Sequence, residues 1–220
     1  MKHSITKHIY SILFLCQPIP VGKQYSGPAD RPYAFIFYTP TTGIWQSVWL
    51  EPVPDDHITS LVLTPDLDAK SLMIKINTDN TMIKTPATVT VYDGDNVIVH
   101  QEAAANEQLD IKLGDSIKTW SPEDPFLYNL KIILETGDAV TSYFGMRKIE
   151  IRKVDKFQRI FLNNQLLPFQ AGPLDQGYWP DGIYTPPTEE AMIWDLKQTK
   201  EMGFNFIRKH IKLGTEMQAY

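Results

Sequence analysis

Between Leu72 and Leu134 apolar and polar side chains alternate repeatedly with a period of two. Leu72, Ile74 and Ile76 alternate with Met73, Lys75 and Asn77, and Val89 and Val91 with Thr88 and Thr90. Leu109, Ile111 and Leu113 alternate with Asp110 and Lys112, and Leu130, Ile132 and Leu134 with Lys131, Ile133 and Glu135. In an extended chain this places each apolar set on one face, ready to be buried. Asp93-Gly94 and Thr136-Gly137 supply the turns between such runs. About seven short strands in roughly a hundred residues predict an immunoglobulin-like β-sandwich over 55–152.

Past residue 152 the pattern changes. Ile160-Phe161-Leu162 runs into Asn163-Asn164, two residues that tolerate positive φ, and reads as the edge of a hairpin. Leu166–Ala171 reads as a short buried strand opening into 172–187, a loop rich in Gly, Pro, Asp and aromatics. Thr188 is placed as an N-cap, with Glu189 and Glu190 at the positive end of the helix dipole. Met192, Leu196 and Thr199 fall on one helical face, Lys197 and Glu201 fall opposite, and Gly203 ends the helix. Phe204–Ile207 reads as a second strand with Arg208 at its end. Strand, loop, helix and strand make one βαβ unit with parallel strands and a right-handed crossover. Such a loop above a rigid strand is where binding residues collect. Here it carries Asp175, Gln176, Tyr178, Trp179 and Asp181.

Upstream, 21–31 reads as loop, Tyr33–Tyr38 as a strand, and Ile44–Glu51 as a segment ended by Pro52-Val53-Pro54. If that segment is extended, Trp45 and Trp49 share one face. They then serve either as an aromatic platform for sugar rings or as filling for a sandwich core, the commoner use of tryptophan. Residues 1–20 are an irregular or signal-like segment, with a basic start and the apolar run Ile9–Cys16. Export to a periplasmic or extracellular location is one reading, with Cys16 as a lipidation site. The bulky Phe14 and Leu15, where signal cleavage needs small residues, favour a plain terminus. No stretch is long enough to be a transmembrane segment.

Composition narrows the partners. The formal net charge of -5 leaves no cationic footprint for nucleic acid. Cys16 is the only cysteine, so neither an intrachain disulfide nor a multi-cysteine zinc site can form. No metal-ligand cluster stands out, and no cofactor or metal is expected.

Four stretches together resemble glycoside hydrolase family 2, the family of β-galactosidases, β-glucuronidases and β-mannosidases. They are Thr42-Gly43-Ile44-Trp45-Gln46-Ser47-Val48-Trp49-Leu50-Glu51, Trp120-Ser121-Pro122-Glu123-Asp124-Pro125-Phe126-Leu127-Tyr128, Phe144-Gly145-Met146-Arg147-Lys148-Ile149-Glu150, and Gly203-Phe204-Asn205-Phe206-Ile207-Arg208. The resemblance implies a mainly β chain in three parts. These are the last strands of a jelly-roll sugar-binding domain (21–54), the immunoglobulin-like β-sandwich (55–152), and the first βαβ part of a truncated (β/α)8 catalytic barrel (153–220).

The resemblance also implies a retaining glycoside hydrolase acting on O-glycosidic bonds of β-linked sugars. Its two catalytic glutamates would lie on later barrel strands, so no catalytic residue is assigned and this piece alone is expected to be inactive. The acid/base of the family follows an asparagine. Asn106-Glu107 is the one such dipeptide here, and it falls in a polar turn of the sandwich, as a chance match. A barrel of two strands, with edges and a helix face left uncovered, is expected to be less stable than the sandwich.

On the substrate side, Arg208 matches the family arginine at the end of the second barrel strand, beside the nucleophile. Asp175, Trp179 and Asp181 fall in the loop after the first strand, at the barrel mouth. His210 stands two residues after the arginine where relatives often have histidine three after. Gln170-Ala171-Gly172-Pro173-Leu174-Asp175 replaces the Arg-Gly-x-Asn motif of many relatives, which leaves the substrate at the level of a β-linked carbohydrate. A homo-oligomer of the full-length enzyme is compatible with this reading. The alternative is a non-enzymatic β-sandwich carbohydrate-binding or adhesion module using Trp45, Trp49 and Trp179, and a third reading is a spacer without ligand. Neither accounts for a βαβ unit with an arginine at its strand.

Overall fold

A computed structural model describes residues 51–183 and 185–209. The chain divides into two compact units, one of Leu50–Phe169 and one to which 170–209 contribute. The segment expected to close a jelly roll, as far as residue 50 and including Trp45 and Trp49, and the terminus read as signal-like lie outside the described residues.

The alternating runs become strands β1 (Ile58–Asp66), β2 (Ser71–Thr78), β3 (Pro86–Asp93), β4 (Asn96–Ala104), β5 (Gln108–Lys112), β6 (Tyr128–Leu134) and β7 (Ala139–Phe144). They form two antiparallel sheets, β1-β2-β5 and β4-β3-β6-β7. This is the seven-strand, two-sheet arrangement expected, with the fourth strand paired to the third. Leu72, Ile74 and Ile76 of β2, Val89 and Val91 of β3, Ile111 of β5, and Leu130, Ile132 and Leu134 of β6 all point into one core and are buried. Each such side chain contributes about 1.5–3 kcal/mol by leaving water. The period of two does not explain Thr90, which is also buried. Its hydroxyl meets Nδ1 of His100, its cross-strand partner on β4, at 3.0 Å.

Tyr128 opens β6 and closes one end of this core. Its ring stacks on Phe144 at 5.3 Å, meets Phe126 edge-on at 4.9 Å, and its phenol oxygen accepts the Lys118 amide at 2.8 Å. Tyr128→Phe keeps the packing and strands that amide, so it is expected to cost about 1–2 kcal/mol of sandwich stability in urea unfolding. An unchanged midpoint would show that water satisfies the amide equally well.

Strands β8 (Ile149–Val154), β9 (Phe157–Leu162) and β10 (Gln165–Leu166) form an antiparallel meander that belongs to the same unit as the sandwich. Asn163 and Asn164 make the turn between β9 and β10 at φ 49° and 68°, as the dipeptide predicts. Asn163 also ties the meander to the motif segments. Its side chain donates to the Trp120 carbonyl at 2.9 Å and accepts from the Lys148 amide at 3.0 Å. Trp120 in turn donates its amide to the Met146 carbonyl at 3.0 Å and lies under the Arg147 guanidinium at 4.6 Å. Two of the four motif stretches thus meet at this junction. Lys148 pairs with Asp68 and Glu150, and the Glu150 carboxyl is held below its ordinary range first by the Lys148 hydrogen bond and then by Arg152.

Two boundaries differ from the sequence reading. The division expected after Arg152 falls inside β8, because β8 pairs with β9 along its whole length and both stay with the sandwich unit. The strand expected at Leu166–Ala171 is shortened to Gln165–Leu166, which turns back onto β9. Leu167 still donates its amide to the Ile160 carbonyl at 2.9 Å, but Pro168 after it has no N–H for a ladder.

In the second unit, β11 (Leu174–Asp175) pairs in parallel with β12 (Arg208–Lys209), and α1 (Glu189–Glu201) lies between them in sequence. A parallel pair joined through a helix is the βαβ connection predicted, with its strands displaced. The second strand, expected over Phe204–Ile207 and ending at Arg208, instead begins at Arg208. The cause lies in the facing chain. Pro173 has no amide to give, and the Ala171 amide donates to the Asn205 side-chain oxygen at 2.9 Å instead of to a backbone carbonyl. The two segments still run side by side, through Asn205 amide to Ala171 carbonyl at 3.1 Å and Arg208 amide to Pro173 carbonyl at 3.0 Å.

Helix α1 starts and stops where its sequence signals stand. Thr188 Oγ1 accepts the Ala191 amide at 3.2 Å, and Glu189 and Glu190 occupy the first turn. The Glu190 carboxyl is held below its ordinary range by its own backbone amide and by the Thr188 hydroxyl. Gly203, at φ 88°, follows the C-cap Met202, with the Phe204 amide reaching the Thr199 carbonyl at 3.3 Å in a Schellman closure. The apolar face expected to be left uncovered is largely open. Met192 and Thr199 are half-buried, Leu196 is exposed, and no residue of α1 is buried.

Candidate functional site at the parallel strand pair

The site is built on β11, β12 and the loop between β11 and α1. Close backbone approach positions it. A Cβ on Gly172 would stand 1.5 Å from the Phe206 carbonyl oxygen, so only glycine lets the two segments lie this near each other. The ladder register pairs Leu174 with Arg208 and Asp175 with Lys209.

Asp175 is tied down at both oxygens. Oδ1 accepts the Gly177 amide at 2.6 Å, closing a turn with Gly177 at φ 70°, and Oδ2 accepts from Lys209 Nζ at 2.7 Å. Further along the loop, Trp179 and Ile183 exchange backbone hydrogen bonds of 2.8 and 3.1 Å. The bracketed Pro180-Asp181-Gly182 forms a small hairpin tip. Gly182 is required there, since a Cβ would lie 2.0 Å from the Thr185 carbonyl oxygen. Ile183 is held at φ 55°, a left-handed conformation that costs a β-branched residue about 1–3 kcal/mol and persists where surrounding bonds impose it. Trp179 is half-buried and Asp181 is exposed at the tip.

The strand pair separates the sequence candidates. Side chains alternate along a strand, so Asp175 and Lys209 share one face of the ladder and Leu174 and Arg208 the other. Arg208, exposed, is therefore not on the side of the ladder that carries Asp175. Trp179 and Asp181 are brought together on one hairpin, and His210 lies outside the described residues. Lys209 was missed from the sequence. Its signal, a cation one residue past Arg208, becomes readable only when the register with Asp175 is known. Among the described residues no group of three His, Cys, Asp or Glu is placed to hold a metal ion, and no helix is long and apolar enough to cross a membrane.

This architecture has close counterparts. The profile for the glycosyl hydrolases family 2 matches residues 56–147, which covers nearly the whole seven-strand sandwich and its closing Phe144-Gly145-Met146-Arg147 motif. The chain resembles the family 2 glycosyl hydrolases. It is 27% identical over 184 residues to a β-galactosidase of Clostridium acetobutylicum, covering 76% of this chain and 19% of the relative. It is 26% identical over 193 residues to a putative β-glucuronidase of Formosa agariphila, covering 82% of this chain and 22% of the relative. In fold it superposes on the β-D-glucuronidase of Dictyoglomus thermophilum with a TM-score of 0.60 at 20% identity, over 75% of this chain and 27% of that one. The chain thus spans about a fifth of the length of these family 2 relatives.

Proposed function

We propose that this chain is part of a retaining family 2 β-glycosidase, contributing the central β-sandwich and the opening βαβ unit of a (β/α)8 catalytic barrel. The observation that carries this reading is the parallel β11–β12 pair joined through α1, which follows the family 2 sandwich and its β8–β10 meander in the chain. A free-standing binding or adhesion sandwich has no use for such a unit.

The chemistry follows from what the piece holds. Retention needs two carboxyl groups about 5–5.5 Å apart across the scissile bond, one as nucleophile and one as acid and then base. Glu107, of the lone Asn-Glu dipeptide, is paired with Lys84 within the sandwich. The proposed division of labour gives the catalytic pair to later barrel strands and leaves the first βα loop and Arg208 to the sugar. Trp179 would cover an apolar ring face, Asp181 would accept from sugar hydroxyls, and Arg208 would hold a carboxylate ionised. The exposed apolar residues of α1, Ile193, Trp194 and Leu196, support a barrel whose other elements cover them.

The test compares two polypeptides on nitrophenyl β-galactoside, β-glucuronide, β-glucoside and β-mannoside. The chain alone is expected to release no nitrophenol. A chimera in which a family 2 barrel is continued from Lys209 is expected to hydrolyse at least one substrate, with the β-anomer appearing first by NMR. Turnover by the chain alone, or inversion by the chimera, would overturn the proposal.

A further inference from the structure

Asp175 was expected to touch sugar, yet both its oxygens are engaged within the protein, one by the Gly177 amide and one by Lys209. The ammonium that engages it comes from the facing strand, directly across the ladder. We propose that Lys209 is a positioning residue for the loop after β11: it fixes the Asp175 carboxylate so that Oδ1 stays on the Gly177 amide and sets the take-off of the loop.

The geometry gives this pair a job that neither residue performs alone. A carboxylate free to rotate about its χ angles would share Oδ1 between the Gly177 amide and water. A cation on Oδ2 removes that freedom, because a charge-assisted hydrogen bond at 2.7 Å fixes the plane of the group. The left-handed turn at Gly177 is thereby held, and with it the direction in which Tyr178 and Trp179 leave the strand. Recognition of hydroxyls then falls to residues beyond Gly177, chiefly Asp181 at the hairpin tip. Asp175 acts through the loop and not on the ligand. The pair also spends the Lys209 charge internally, so it is no counter-ion for an acidic sugar. This inference rests on reading the loop as the sugar-binding one.

The experiment uses the full chain, labelled with nitrogen-15, and follows amide hydrogen exchange of Gly177. Lys209→Met is expected to speed exchange there about tenfold by releasing the turn, while Lys209→Arg, which keeps the charge, stays within about twofold. The Ala191 amide, capped by Thr188, serves as the control and is expected to be unmoved. Asp175→Asn tests the same pair from the other partner and is also expected to speed exchange at Gly177, which covers the case of a poorly folded Lys209 variant. Wild-type exchange rates in both Lys209→Met and Asp175→Asn would overturn the positioning role. Titration with methyl β-galactoside and methyl β-glucuronide separates the two ideas. Shifts confined to 176–183 in the wild type, weakened in Lys209→Met, support both. Absent shifts in the wild type overturn the sugar reading of the loop, and the exchange result still decides the latch.

Discussion

Asn106→Ala is expected to lower the unfolding free energy of the sandwich by about 2–4 kcal/mol, summing the lost hydrogen bonds and the cost of a left-handed alanine. Asn106 sits at φ 61° between β4 and β5 and organises the whole turn. Its Nδ2 donates to Thr78 Oγ1, to the Asn80 carbonyl and to the Ile83 carbonyl at 3.0, 3.1 and 2.8 Å. Its Oδ1 accepts the Thr78 amide at 3.2 Å, and its own amide reaches the Ile76 carbonyl at 2.7 Å. One side chain thereby fastens the end of β2 to the loop before β3. Asn106→Gly separates the contributions, since glycine regains the backbone conformation but none of the side-chain bonds. It should recover only about 1 kcal/mol of the loss. Urea unfolding with an unchanged m-value is the measurement. A loss below about 1 kcal/mol for alanine would mean that water replaces these bonds at little cost.

The same residue shows how far the sequence could be read. As a dipeptide, Asn106-Glu107 matches the asparagine-glutamate pair of the family's acid/base, but it falls in a polar turn of the sandwich. That it anchors a turn depends on carbonyls of Asn80 and Ile83, more than twenty residues away, whose direction no local pattern encodes. Where a rule is local, sequence sufficed. The period of two located β2, β3, β5 and β6 and their buried faces, Asn163-Asn164 marked its hairpin, and Thr188 and Gly203 bracketed α1. Where the outcome depends on a partner chain segment, it failed. The strands of the βαβ unit are displaced because Pro168 and Pro173 cannot donate and the Asn205 side chain stands in for backbone. The pairing of Asp175 with Lys209, and the separation of Arg208 from that face, required the register of two strands more than thirty residues apart.

Gly172→Ala is expected to dismantle the candidate site while leaving the sandwich intact. The added Cβ would stand 1.5 Å from the Phe206 carbonyl oxygen, 2.4 Å from its carbonyl carbon and 3.2 Å from its Cα. All three are backbone atoms, so no rotamer change can relieve the contact. The segments must move apart by more than an ångström, and the hydrogen bonds that join them, Asn205 to Ala171 and Arg208 to Pro173, are too short to survive that displacement. The cost is expected at the upper end of overpacking, about 3 kcal/mol or more. That exceeds what a ladder of two residues on each strand can supply.

Amide exchange distinguishes this from general unfolding. Asn205 and Arg208 are expected to lose their protection, and the Asp175–Lys209 pair with them, while amides of β2, β3 and β6 retain theirs because they belong to the other unit. If Asn205 and Arg208 kept their wild-type exchange rates in Gly172→Ala, the close approach at residue 172 would not be what holds β11 to β12. The loop carrying Trp179 and Asp181 would then owe its position to bonds within it, such as those of Asp175 with Gly177 and of Trp179 with Ile183.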